Sequence, residues 1–191
     1  MKKMSGWAVF GISVLAIIFI LGAWSIGTYN GLVGLKENVD NQSSNISTQL
    51  QRRSDLIPNL VSTVKGYTSH ESEVLNEISN SRTKLAGAQS MSEKAQADSQ
   101  LSSALNRLLI VVENYPNLKA DSQFTALTDE LSGTENRIAV SRRDYNSAVK
   151  EYNQKIKTFP ANIISGMFGF SSADYFEAAE GSEKAPTVTF E

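Results

Sequence analysis

The chain has 191 residues, no cysteine and one histidine, with 18 Lys and Arg against 20 Asp and Glu. The absence of cysteine excludes disulfides, thiolate metal sites and a cysteine nucleophile, and one histidine cannot build a histidine-rich metal cage. With Lys2 and Lys3 set aside, 16 of the 18 basic residues remain against 20 acidic ones. No nucleic-acid partner is therefore expected, because binding to phosphates requires a basic face.

Residues 7–26 are predicted to form a transmembrane helix. The stretch WAVFGISVLAIIFILGAW, residues 7–24, has no charge and carries tryptophan at both ends. Its helical length of about 27 Å matches the hydrocarbon core of a bilayer. A cleaved signal peptide and a buried core helix are the alternatives, although signal peptides usually have a shorter apolar run of about 7–15 residues. The predicted lipid contacts are Trp7, Phe10, Leu15, Phe19, Leu21 and Trp24.

The charges on either side of this segment predict its orientation. Residues 1–6 form a basic flank that contains Lys2 and Lys3, whereas the first charge after the span is Lys36. The positive-inside rule then places the amino terminus in the cytoplasm and the following domain outside the cell.

After the span, apolar residues recur at helical spacing from residue 32 to residue 78, which predicts long helices. Pro58 lies inside this pattern, so a kink or a short break is expected there. Gly66 predicts the end of a helix, and Thr68 with Glu71 has the spacing of a capping box that starts the next one. The alternative is one long bent helix that continues through this point.

Residues 87–100 are small and polar, without apolar periodicity, and are predicted to form a loop or a frayed helix end. A helix is expected over residues 101–115, ending before Pro116, because the residue before a proline disfavours the helical conformation. Asp121 or Ser122 is then predicted to cap the last long helix.

The clearest pattern is a sevenfold repeat in this last helix, which Pro160 is expected to end. Such a repeat predicts left-handed packing against neighbouring helices. No segment before residue 160 alternates like a strand. The chain is therefore predicted to be all-α, with an N-terminal transmembrane helix followed at residues 29–160 by an antiparallel up-down bundle of long helices. The predicted packing seam is Phe124, Leu131, Ile138, Tyr145, Tyr152 and Phe159.

Residues 161–179 are a second apolar segment, and residues 180–191 are predicted to be a loose tail. An apolar patch of this size rarely stays exposed. It either folds back onto the bundle or docks on a membrane or a second copy of the chain. The residues of this candidate docking patch are Ile163, Ile164, Met167, Phe168 and Phe170.

No sequence motif for catalysis is found, so no enzyme activity, cofactor or metal site is predicted. His70 beside Glu71 is more typical of a solvated or capping position than of a catalytic one. Mixed charges lie within or beside the apolar seams in four clusters, which are Arg52-Arg53-Ser54-Asp55, Glu113-Asn114, Glu135-Asn136-Arg137 and Arg142-Arg143-Asp144. These clusters predict ion pairs between helices that fix their register. The functional alternative is a binding groove or an oligomer contact.

Several long blocks resemble the LemA family in order and spacing, over most of the chain after the span. The resemblance implies a bacterial protein with one N-terminal span and a domain of long antiparallel helices. It implies no catalytic residues. The blocks are YNGLVGLKENVDN (29–41), RRSDLIPNLVSTVKGY (52–67), RLLIVVENYPNLKA (107–120), ELSGTENRIAVSRRDYN (130–146) and FPANIISGMFGF (159–170).

Together these observations predict a helical structural or interaction protein anchored in the bacterial cell membrane. Its expected partners are the lipid bilayer and either further copies of itself or another protein. The alternative is a sensory or regulatory module that binds a small ligand or a cell-wall fragment, whose identity the sequence does not reveal.

Overall fold

A computed structural model describes residues 6–68 and 71–177, which form six α-helices and no strand within these ranges. The all-α prediction is confirmed. The predicted basic flank at Lys2 and Lys3, His70 and the tail 180–191 lie outside the described residues. The helices are α1 (Gly6–Lys65), α2 (Ser72–Gly87), α3 (Met91–Val112), α4 (Pro116–Lys119), α5 (Ser122–Lys157) and α6 (Ala161–Phe168).

α1 is one uninterrupted helix of 60 residues, which corresponds to a length of about 90 Å. Near its start, a window of 18 residues has a mean hydropathy of 2.5, and none of that window is buried. The helix is therefore long and apolar enough to cross a membrane. Because the window is exposed throughout, the alternative of a buried core helix is wrong.

The contacts divide the described chain into two compact units, and both α1 and α5 contribute residues to each. The first unit combines the described residues up to Asp40 with Ala148–Ala173. The second combines Asn41–Ser147 with the described residues from Asp174 onward. The division falls inside α1 and α5.

In the second unit, α2 and α3 run antiparallel. Arg107 pairs with Glu77 at 2.7 Å, and the Lys84 ammonium donates to the Gln100 side chain at 3.0 Å. α1 and α5 are also antiparallel, because residue numbers fall along α1 as they rise along α5. The hydroxyl of Tyr67 thus donates to Asp121 at 2.7 Å, and Arg52 pairs with Glu130 at 2.6 Å.

α1 and α3 run parallel, because Lys94 donates to the Ser47 hydroxyl at 2.9 Å and Arg53 pairs with Asp98 at 2.7 Å. The four long helices of this unit therefore alternate in direction as an up-down-up-down bundle, which confirms the predicted architecture. Its buried apolar side chains include Ile46, Ile57, Leu60, Val64, Leu75, Ile78, Leu101, Leu108, Phe124, Leu131 and Ile138.

Pro58 lies inside α1 without interrupting it, so the expected short break is absent. Proline has no backbone N–H and leaves the carbonyl four residues earlier, that of Ser54, without its helical donor. The Nε of Arg82 in α2 donates to this carbonyl at 3.0 Å. Because Ser54 is buried, water cannot reach this carbonyl, and the Arg82 side chain supplies its hydrogen bond instead.

The prediction of a loop at residues 87–100 is wrong for most of that segment, because α3 begins at Met91. Ser90 and Glu93 form a capping box there: the Ser90 hydroxyl accepts from the Glu93 N–H, and the Glu93 carboxylate accepts from the Ser90 N–H, both at 3.1 Å. The buried face of this first part of α3 has little apolar surface, which explains the missing periodicity. Its members are Ala95, Ala97 and Asp98.

The capping box predicted at Thr68 and Glu71 is not formed. The Thr68 hydroxyl donates to the carbonyl of Val64 at 3.1 Å, and the Glu71 carboxylate accepts from the Tyr115 hydroxyl at 2.9 Å. Both side chains are therefore engaged elsewhere. The predicted helix end is confirmed, since α1 stops immediately before Gly66.

Candidate functional site

The predicted lipid contacts lie on the exposed start of α1. All six side chains are exposed, on every side of the helix. A continuous apolar surface of this kind is long and apolar enough to cross a membrane. The residues are Trp7, Phe10, Leu15, Phe19, Leu21 and Trp24.

The predicted packing seam is buried along most of α5. Phe124, Leu131, Ile138 and Tyr145 are buried in the second unit, and Tyr152 is buried in the first. Phe159 departs from this row, because its side chain is 76% exposed. The physical reason is that α5 ends two residues earlier, so the sevenfold helical repeat no longer sets the direction of this side chain.

An ion-pair cluster with a buried centre joins three helices of the second unit. Asp98 of α3 is fully buried, and one of its carboxylate oxygens accepts from Arg53 of α1 at 2.7 Å. Its other oxygen pairs with Arg142 of α5. Arg53 also lies 2.6 Å from Glu135 of α5. The predicted interhelical ion pairs are confirmed at these positions.

This cluster holds two positive and two negative charges, so the buried Arg53 and the half-buried Arg142 are neutralised within the bundle. Arg142 adds a cation–π contact, with its guanidinium carbon 4.9 Å from the centre of the Phe176 ring. Removing one member of a buried pair leaves an unpaired charge, which destabilises a protein by about 3–5 kcal/mol. The cluster therefore specifies how the three helices meet. Asp98, its central residue, was missed because it lies in the segment that was predicted to be a loop.

The segment after α6 is held to α5 by a tyrosine–asparagine dipeptide in each unit. In the second unit, the Tyr145 hydroxyl donates to the Asp174 carbonyl at 2.8 Å. The Asn146 amide donates to the Phe176 carbonyl at 3.0 Å and accepts from the Phe176 N–H at 2.8 Å. The asparagine thus satisfies both backbone groups of one residue in a segment that has no regular structure of its own.

In the first unit, the Tyr152 hydroxyl donates to the Ser171 carbonyl at 2.9 Å. The Asn153 amide exchanges two hydrogen bonds with the backbone of Ala173, at 2.8 and 2.9 Å. Burial raises the pKa of the Tyr152 hydroxyl, which therefore remains a donor at neutral pH. Sequence reasoning identified both tyrosines as packing residues and missed the asparagines. The repeated Tyr-Asn pair, seven residues apart, was the available signal.

The candidate docking patch is split by the structure. Ile164 is buried and Phe170 is half-buried, whereas Ile163, Met167 and Phe168 remain exposed. In the same unit, the Tyr29 ring of α1 lies 4.9 Å from the Phe168 ring and 5.7 Å from the Phe170 ring. α6 therefore packs one face inward and presents three large apolar side chains outward.

The second unit also contains a cavity of about 360 Å³ beside the ion-pair cluster. Arg53 and Glu135 line it together with leucine side chains such as Leu60, Leu105 and Leu131. The Nε of Arg53 has no hydrogen-bond partner among the described residues. Within residues 6–68 and 71–177, no group of three or more His, Asp or Glu side chains could hold a metal ion.

The fold and these surfaces define a class: an all-α protein whose first helix carries an exposed apolar segment long enough to cross a membrane. The model of the LemA family matches residues 42–190. The chain belongs to the LemA family.

Relatives from three bacteria are similar to most of the chain. Magnetosome protein MamQ 2 of Paramagnetospirillum magneticum is 29% identical over 95% of this chain and 76% of its own length. Protein LemA of Metamycoplasma hominis is 28% identical over 81% of this chain and 71% of its own length. Magnetosome protein MamQ of Magnetospirillum gryphiswaldense is 25% identical over 95% of this chain and 75% of its own length. None of these names denotes an enzyme.

Proposed function

We propose that the protein is a membrane-anchored helical interaction protein of the bacterial cell membrane. Residues 7–26 cross the bilayer, and the helical units bind further copies of the chain or a protein partner. The observation that carries the proposal is the apolar start of α1. Its window of 18 residues has a mean hydropathy of 2.5, and none of these residues is buried. A side-chain surface this apolar requires lipid around it.

Cell fractionation tests the anchor. We expect the full chain to stay in the membrane fraction after alkaline carbonate extraction, at the intact mass. Replacing Ile17 and Ile18 by arginine should release the protein, because each arginine at the centre of a span disfavours insertion by about 2.5–3.5 kcal/mol. Ile110→Arg, at an exposed position of α3, is the matched control and should stay in the membrane. A soluble protein that lacks its first two dozen residues would show a cleaved signal peptide and refute the anchor.

The proposed orientation places the units outside the cell, as the lysines at positions 2 and 3 favour. Because the chain has no cysteine, a single Ser132→Cys variant carries one reactive thiol. A maleimide that cannot cross membranes should label this variant in intact cells. Labelling only after lysis would place the units in the cytoplasm.

Self-association is tested by the size of the detergent-extracted protein and by cross-linking in membranes. Exposed apolar side chains outside the span, such as Leu109 and Val140, support a contact surface on the second unit. We expect species larger than a monomer, or one co-purifying protein. A strict monomer without a partner would contradict the proposed role.

A second candidate function is the binding of a small amphipathic ligand in the cavity beside Arg53. The cavity has a charged end, where the Nε of Arg53 lacks a hydrogen-bond partner among the described residues, and an apolar wall of leucines. Such a lining favours a ligand with one polar end and one apolar end. A true ligand raises the melting temperature with its concentration. Leu109→Phe, at the rim of the cavity, should abolish that shift, whereas Ile110→Phe beside it should not.

A further inference from the structure

We propose that exposed apolar side chains of α6, together with Phe159 two residues before it, form a second membrane contact, which lies in the headgroup region of the same bilayer that α1 crosses. The inference rests on the proposed function, since it needs α1 to be in lipid. The α6 face consists of Phe159, Ile163, Met167 and Phe168.

Exposure and spacing define this apolar surface. Ile163 and Met167 are four residues apart within α6, which places their side chains on a common side of the helix. Met167 is 73% exposed, and both Phe159 and Ile163 are more than half exposed. On the opposite side, Ile164 is buried and the Ser165 hydroxyl donates to the carbonyl of Ile156 at 2.8 Å. These contacts fix α6 on its inward side and leave Ile163 and Met167 exposed.

The contact with α1 places this face beside the lipid-water boundary. The Phe168 ring lies 4.9 Å from Tyr29, in the same unit. Tyr29 follows Trp24, the tryptophan at the end of the span, by five residues, which is a helical rise of about 7.5 Å. An amphipathic helix at a membrane surface lies within about 5–10 Å of the boundary between headgroups and acyl chains. The α6 face is therefore at the depth that such helices occupy.

The charges around α6 fit an anionic membrane surface rather than a buried protein contact. Residues 152–173 contain no Asp or Glu, and their only charges are Lys155 and Lys157 in the last turn of α5. Both lysines are exposed. Basic residues beside an apolar face are the pattern of helices that lie in the headgroup region of anionic lipids.

The depth of single nitroxide labels in full-length protein tests this contact. The cysteine-free chain allows Met167→Cys and Ile163→Cys as two independent reporters, with Phe19→Cys in the span and Ile110→Cys in α3 as controls. Ile110 is 71% exposed, which matches Met167. The protein is reconstituted in vesicles of equal parts phosphatidylcholine and phosphatidylglycerol. Collisions with oxygen, which enriches in lipid, are compared with collisions with a water-soluble nickel complex.

We expect the ratio of oxygen to nickel collisions at residues 163 and 167 to be several-fold higher than at residue 110 and lower than at residue 19. A ratio at both reporters equal to that at residue 110, with residue 19 in lipid, would overturn the α6 contact and leave the anchor intact. Low collision rates with both reagents at residues 163 and 167 would show that protein covers these positions, and this result would also overturn the membrane contact. An aqueous signature at residue 19 would refute the anchor itself.

Discussion

The hydrogen bond between Arg82 and the Ser54 carbonyl predicts that Pro58 of α1 and Arg82 of α2 contribute to stability in a coupled way. Pro58 removes the helical donor for this carbonyl, and the Arg82 Nε replaces it at 3.0 Å. Replacing Arg82 by methionine keeps the aliphatic stem and removes the donor. The buried carbonyl then loses its partner, which destabilises the fold by about 1–3 kcal/mol.

The same substitution should be nearly neutral when Pro58 is replaced by alanine. An alanine at this position has a backbone N–H that can donate to the Ser54 carbonyl, as in an ordinary helix. The double-mutant cycle of Pro58→Ala and Arg82→Met is therefore expected to give a coupling free energy of about 1–2 kcal/mol.

Thermal unfolding of the full chain in mild detergent, followed by the helical signal in far-ultraviolet circular dichroism, measures this cycle. For about 2 kcal/mol, the melting temperature should fall by roughly 4–8 °C with Arg82→Met alone, and by much less in the Pro58→Ala background. Arg107→Met, which removes an exposed ion pair with Glu77, is the control and should show no coupling to Pro58. Equal losses for Arg82→Met in both backgrounds would refute the reasoning.

Three further substitutions have expected outcomes in the same unfolding assay. Asp98→Asn leaves the buried Arg53 without its central counter-charge and should destabilise the fold by about 3–5 kcal/mol. A loss under about 1 kcal/mol would contradict the cluster. Ser90→Ala removes the N-terminal cap of α3 and should lower the free energy of unfolding by about 1 kcal/mol. Unchanged stability would contradict this role of Ser90. Hydrogen bonds from the Phe124 backbone and from Tyr67 lower the pKa of Asp121, so its contribution is present at neutral pH and lost as acid protonates it. Asp121→Asn should therefore lower the melting temperature at neutral pH, and the difference from the unchanged chain should shrink below about pH 4.

The long helices could be predicted because their apolar residues repeat at helical spacing and their ends carry recognisable signals. Gly66 marks the end of α1, and Asp121 caps α5 by accepting from the Phe124 N–H at 2.9 Å. The signal fails at the start of α3, where alanines and Asp98 replace large apolar residues on the buried face. There the capping box of Ser90 and Glu93 was the only local sign of a helix.

The contacts that organise the site could not be predicted, because they join residues far apart in the chain. Asp98 is 45 residues from Arg53 and 44 from Arg142. Nothing in the local sequence distinguishes a buried aspartate from one on a solvated helix surface. Likewise, Pro58 predicts a break only when no donor replaces its missing N–H, and that donor comes from another helix. Tertiary partners decide both outcomes.

The position of Arg53 explains why a buried charge is retained in α1. Along this helix, buried residues follow one another every seven positions at Leu32, Val39, Ile46 and Leu60, and Arg53 occupies the position between the last two. An apolar side chain there would pack about equally well if a neighbouring helix slipped by one turn, since purely apolar seams specify register weakly. Arg53 instead needs a carboxylate at one place, and only one alignment brings Asp98 within 2.7 Å. A slip of one turn, about 5.4 Å, would leave both charges buried and unpaired. The cluster therefore selects one register for the bundle, whatever its net contribution to stability.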